Sequence, residues 1–185
     1  MHRIRTTTLA LAIAAFLLVG CGASQASSFD AQFIDMMVPH HQGAIEIAKI
    51  AATRASHPEL KAMAESVIKS QQSEIDQMKS WRKAWFGSDQ TPSMDRMPTV
   101  SEMGHGGTMD MKKDVDMMRS AAEPFDRQFL DMMREHHRSA VEAGRLAQTK
   151  AQRTEIKDLA GRIIADQERE IQQMTEWRRA WYGSN

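Results

Sequence analysis

The chain has 185 residues, with 24 basic and 24 acidic side chains and no formal net charge, which excludes an electrostatic case for nucleic acid. Its single cysteine excludes an intramolecular disulfide. Fifteen methionines beside one tyrosine are the compositional oddity, a bias toward soft sulfur ligands or toward pliable packing.

The N-terminus carries Arg3 and Arg5, then an apolar run from Leu9 to Val19, then Leu18-Val19-Gly20-Cys21. A basic start and a short apolar run read as an export signal, not a membrane span. The ending is similar to the bacterial lipobox, and that resemblance implies cleavage before Cys21 with diacylglycerol on its sulfur. On this reading residues 1–20 are a lipoprotein signal peptide, 21–28 are a tether, and the rest of the chain lies outside the cytoplasm, anchored to a bacterial membrane through lipid. What remains is long enough for one domain with a real core.

The remainder is a repeat. A shift of 96 positions lays Phe29–Ser88 on Phe125–Ser184 without a gap, with about half of the aligned residues identical. Each copy is predicted to be a helical hairpin, with helices over about Phe29–Arg54 and Pro58–Phe86, then Phe125–Lys150 and Thr154–Tyr182. Pro58 suits a first helical turn, and Gly87 and Gly183 suit stops. Pro39 is expected to kink the first helix or to begin a new one before His40, although Glu135 in the second copy shows that a kink is not essential to the shared design. Residues 89–123 form a long crossover with one short helix expected near Met109–Ser120. The predicted fold is all-α: a ferritin-like four-helix bundle in which the repeats 29–88 and 124–185 make one domain.

At roughly 100° per residue, Phe29, Phe33, Met36, His40, Ala44, Ile47 and Ala51 fall on one stripe, with Met37 and His41 at its edge. The second copy repeats this with Phe125, Phe129, Met132, His136, Ala140, Ala143 and Ala147, and with Met133 and His137 at the margin. On the second helix of each hairpin, Gln71, Glu74 and Met78 share the apolar face, as do Gln167, Glu170 and Met174. A buried polar group without a partner costs about 1–3 kcal/mol, so something must satisfy these. One reading is a structural network in which His40 bonds Glu74 or Gln71, and His136 bonds Glu170 or Gln167. The other is a ligand set built from Met36, Met37, His40, His41 and Met78 with Met132, Met133, His136, His137 and Met174, supported by Gln71, Glu74, Gln167 and Glu170.

Iron bundles use Glu three residues before His, whereas Met37 and Met133 stand there in this chain. Thioether and imidazole one turn apart select Cu(I), or Ag(I) by the same softness. The crossover adds Met94, Met97, Met103, His105, Met109 and Met111 in a Gly-rich stretch with little core to fill. Met117 and Met118 are the residues of that segment expected to anchor it on the bundle. Trp81, Trp85, Trp177 and Trp181 are expected to close the ends of the core, Arg178 and Arg179 to be solvated, and His57 to have no role. No Ser-His-Asp order, nucleotide loop or nucleophile elbow is present, so catalysis lacks a warrant in the sequence.

The residues Phe33, Met36, Met37, His40, His41 and Ala44, followed by Gln71, Glu74, Ile75, Met78 and Trp81, carry a resemblance that the second copy repeats. There the residues are Phe129, Met132, Met133, His136, His137 and Ala140, followed by Gln167, Glu170, Ile171, Met174 and Trp177. The pattern resembles domain-of-unknown-function family 305, which includes CopM-like periplasmic copper-binding proteins of ferritin-like fold. That resemblance implies copper binding and copper tolerance. The expectation is a lipid-anchored extracytoplasmic protein that buffers or transfers Cu(I), with the metal ion and the membrane as partners and a second copy or an envelope protein as a further candidate. Two other readings stay open: a metal-free bundle recognising an envelope protein through its Trp-rich end, and a copper or iron oxidase of ferritin-like type.

Overall fold

A computed structural model describes residues 28–98 and 111–183 of the chain. It contains α1 (Phe29–Arg54), α2 (Pro58–Phe86), α3 (Met111–Arg119), α4 (Phe125–Lys150) and α5 (Thr154–Tyr182), with a 3-10 turn at Met94–Arg96 and no strand among the described residues. Local signals set the ends of the long helices. The Ser28 hydroxyl accepts from the Ala31 N–H at 3.3 Å at the start of α1, Pro58 opens α2, and Gly87 ends it at φ +81°. The interruption expected at Pro39 does not occur, because α1 runs unbroken through it. The proline and its neighbours Val38 and His40 are buried, and that packing outweighs the one helical hydrogen bond that proline removes.

The hairpins α1–α2 and α4–α5 meet chiefly through α1 and α4, and α3 lies against α1. His40 and His136 are counterparts in the repeat, and their ring centroids are 3.8 Å apart. A residue that touches its own counterpart marks the pseudo-two-fold axis, so the axis passes between these rings. The core follows the same symmetry. Phe33, Met37, Ile75 and Met78 pack with Ala140, Ala147, Ile156 and Ile163, while Ala44, Ile47, Leu60 and Val67 pack with Phe125, Phe129, Met133 and Met174.

Each hairpin also caps the turn of the other. Asp30 accepts from the main-chain N–H groups of Gln152 and Arg153 at 2.9 and 3.2 Å. Asp126 accepts from those of Ser56 and His57 at 2.9 Å and lies 2.6 Å from His57 Nδ1. Above these caps the Arg153 guanidinium lies 4.2 Å from the Trp85 ring, and His57 stacks on Trp181 at 3.7 Å. The tryptophans thus close the ends of the core as expected, and His57, given no role from the sequence, helps to do so. Arg178 departs from its expected solvated position. It is only 4% exposed, bonded to Asp131 at 3.0 Å and to the Gly183 carbonyl at 2.9 Å, as its counterpart Arg82 is bonded to Asp35 and Ser88. The aliphatic stem of arginine lets a charged head reach a carboxylate across an otherwise apolar interface.

The crossover packs closely where it is described. Met97, Met111, Val115 and Met118 are buried, and Met94 packs partly buried against the same core. A Cβ on Gly43 would come within 2.9 Å of the Met111 Cβ, so glycine is what lets α3 settle onto α1.

Candidate metal centre

Around the pseudo-two-fold axis, α1 and α4 bring His40, His41, His136 and His137 together, and α2 and α5 add Gln71 and Gln167; all six are buried. Their partners differ from the predicted network by one position. It is His41, not His40, whose Nε2 meets a Glu74 carboxylate oxygen at 2.7 Å, and it is His137 that meets Glu170 at 2.7 Å. Adjacent helical positions differ by roughly 100°, so both histidines of each pair lie within the buried arc, and the packing of α2 and α5 decides which one faces the carboxylate. His40 instead bonds the Ser139 hydroxyl through Nε2 at 2.8 Å. Ser139 was not singled out in the sequence. The available signal was its place beside the shared histidines, at the position where the first repeat has Gly43.

Nine buried side-chain polar atoms in this interior have no hydrogen-bond partner: Nδ1 of all four histidines, Nε2 of His136, and both amide atoms of Gln71 and of Gln167. Gln71 and Gln167 thus make no hydrogen bond to the histidines. Burial, reinforced by neighbouring imidazoles, holds His40 and His136 well below the ordinary histidine value of 6.5. Both rings are neutral at pH 7, the form in which imidazole can donate a lone pair to a metal.

Several thioethers lie one helical turn from these rings or from the carboxylates they meet. Met37 precedes His41 by one turn and Met78 follows Glu74 by one turn, and both sulfurs are buried, with Met133, His137, Glu170 and Met174 repeating the arrangement. Met36 lies one turn before His40 and is buried as well. One face opens to solvent: a groove of about 350 Å³ between α3 and α4, lined by Met111, Asp114, Met117, Met132, Glu135, His136 and Ser139. Here Met111 from the crossover and Met132 and His136 from α4 line one groove. The structure also separates the two methionines expected to be anchors. Met118, on the inner side of α3, is buried in the core, whereas Met117 is 45% exposed on the groove. Met94 and Met97 pack on the core by the 3-10 turn and do not line the groove. Met103, His105, Met109 and Cys21 lie outside the described residues.

Among the described residues no three His, Cys, Asp or Glu side chains converge to hold a metal ion. At the groove the thioethers of Met111, Met117 and Met132 and the neutral His136 ring stand with the Asp114 and Glu135 carboxylates; of these donors, sulfur and imidazole suit a soft monovalent cation better than a hard one.

The fold and this interior define a duplicated helical-hairpin bundle, and residues 30–184 match the family described as Domain of unknown function (DUF305). The chain belongs to that family. Among solved structures it is similar to CopM in the Cu(II)-bound form, at 40% identity and a TM-score of 0.70, covering 83% of this chain and 97% of that one. CopM in the Cu(I)-bound form matches at 38% identity and a TM-score of 0.68, over 83% and 98% of the two chains. A putative secreted DUF305 protein from Streptomyces coelicolor matches at 26% identity and a TM-score of 0.68, over 81% and 91%. Among curated proteins, uncharacterized protein L153 of Acanthamoeba polyphaga mimivirus is 40% identical over 57 residues, which is 31% of this chain and 38% of that protein.

Proposed function

We propose that this protein binds copper as Cu(I), takes Ag(I) by the same chemistry, and buffers or passes its cargo outside the cytoplasm while held to the membrane by lipid on Cys21. The observation that carries the reading is the α3–α4 groove. In it the His136 ring, with both nitrogens unpartnered, stands among Met111, Met117 and Met132. Met132 and His136 are one turn apart on α4, so both can reach one ion. The sulfur of Met117, exposed to water, receives the ion first, and Met111 and His136 complete its surroundings as water is excluded.

Behind the groove, the buried sets Met36 with His40, Met37 with His41 and Met78, and Met133 with His137 and Met174 give further soft donors. Met94, Met97, Met103, His105 and Met109 of the crossover extend the supply. CopM, seen with Cu(I), Cu(II) and silver, supports copper as the cargo. Binding, not turnover, is the proposed activity.

Titration of the protein with Cu(I) against a competing chelator tests this. Wild type should bind tighter than micromolar, and the double variant Met132→Ala/His136→Ala should lose at least one ion. Failure to bind, or a double variant indistinguishable from wild type, removes the proposal.

A further inference from the structure

Three of the four imidazoles have one nitrogen engaged and one idle, and it is the same nitrogen each time. Nε2 of His41 and of His137 lies 2.7 Å from a carboxylate oxygen, and since a carboxylate only accepts, each Nε2 carries the hydrogen. Nε2 of His40 lies 2.8 Å from the Ser139 Oγ. The one hydroxyl hydrogen of Ser139 is directed at the His136 carbonyl, 2.7 Å away, so there too the ring donates. A neutral imidazole has a single N–H. In the neutral form each of the three rings then has a bare lone pair on Nδ1, and all three Nδ1 atoms are buried and without a partner. The opposite tautomer would bury an N–H with no acceptor, a rarer and costlier state.

His136 is the exception: neither nitrogen has a side-chain partner, and the His40 main chain is the one hydrogen-bonding group near its ring. Symmetry explains why. The hydroxyl that would serve His136 belongs at position 43, where the chain has glycine, and the Met111 sulfur lies 3.1 Å from where a Cβ would be. A thioether fills the place that a hydroxyl fills in the other half.

We infer that Glu74, Glu170 and Ser139 are positioning residues that hold His41, His137 and His40 in the Nε2–H form, so that a soft cation is taken through their Nδ1 atoms, and that His136 is the uncommitted ring that accepts it from the groove. The inference deepens the copper reading and rests on it. The arrangement is that of a metal-binding histidine whose far nitrogen is fixed by a carboxylate or hydroxyl, and loss of such a partner lowers metal affinity by about 10- to 100-fold.

Long-range proton–nitrogen correlation spectra of the nitrogen-labelled full chain, metal-free and loaded with Ag(I), test the assignment. Without metal, His40, His41 and His137 should each show a protonated Nε2 and a bare Nδ1. With silver, the Nδ1 signals should move while Nε2 stays protonated. Ser139→Ala should scramble the tautomer of His40 alone and weaken silver binding about 10-fold, and Ser139→Thr should restore both. Unchanged His41 and His137 signals report that the variant is folded; if it does not fold, the wild-type spectra decide. A protonated Nδ1 on His40, or silver on Nε2, overturns the inference. Silver bound, as judged by native mass spectrometry, with all four rings unmoved sinks it while leaving the soft-cation reading intact. No silver bound at all removes both.

Discussion

Acidification should destabilise the metal-free protein well before its carboxylates titrate, because two histidines are buried neutral at its centre. The largest cause is removal of His40 and His136 from water, followed by repulsion from neighbouring imidazoles, and both effects disfavour the charged ring. On unfolding, both return to about 6.5. Below that value the unfolded chain binds protons that the folded chain does not, so stability falls as pH falls, whereas above it the two states bind alike and the effect vanishes. One pH unit below 6.5 the loss approaches about 1.4 kcal/mol per ring, about 3 kcal/mol for the pair. That is a large share of the roughly 5–15 kcal/mol by which domains are stable. Urea unfolding followed by helical circular dichroism would read it as a fall in midpoint of about 1 M or more at constant slope. His40→Gln should keep about half of the pH dependence. A midpoint that stays flat from one unit above 6.5 to one unit below would refute the burial argument.

Other substitutions separate structural from cargo-handling roles. Arg178→Ala breaks a buried bond set to Asp131 and Gly183 and should lower stability by about 1–3 kcal/mol, whereas Arg179→Ala should change it by less than about 0.5 kcal/mol in the same thermal melts. Gly43→Ala would drive a methyl to 2.9 Å from the Met111 Cβ. It should cost about 1–3 kcal/mol and speed proteolysis of the crossover; helix propensity alone would make it stabilising by up to about 1 kcal/mol, so a gain in stability counts against the seating of α3. Met118→Ala should cost about 2–5 kcal/mol with its buried side chain gone. Met117→Ala should leave the melt within about 0.5 kcal/mol and weaken silver binding in calorimetry, and the reverse pattern would contradict the roles assigned to these neighbours.

The sequence by itself determined the elements and their duplication. The limits of α1, α2, α4 and α5 followed from local chemistry: Pro58 at a first turn, glycines past the ends, and apolar residues recurring at helical spacing. Placing imidazole, thioether and carboxylate on the inward arc followed from the same spacing. Partnership did not. Periodicity says which side of a helix turns inward, but residues one position apart, such as His40 and His41 or Arg178 and Arg179, can both fall near the edge of a buried arc. Which of them meets Glu74, Ser139 or Asp131 depends on how two other helices cross, and that is decided by contacts between residues 33 to 99 positions apart. The same holds for Met117 and Met118, neighbours in a short helix that one reading of composition treated alike. Only the seating of α3 over Gly43 turns one sulfur into the core and the other toward water.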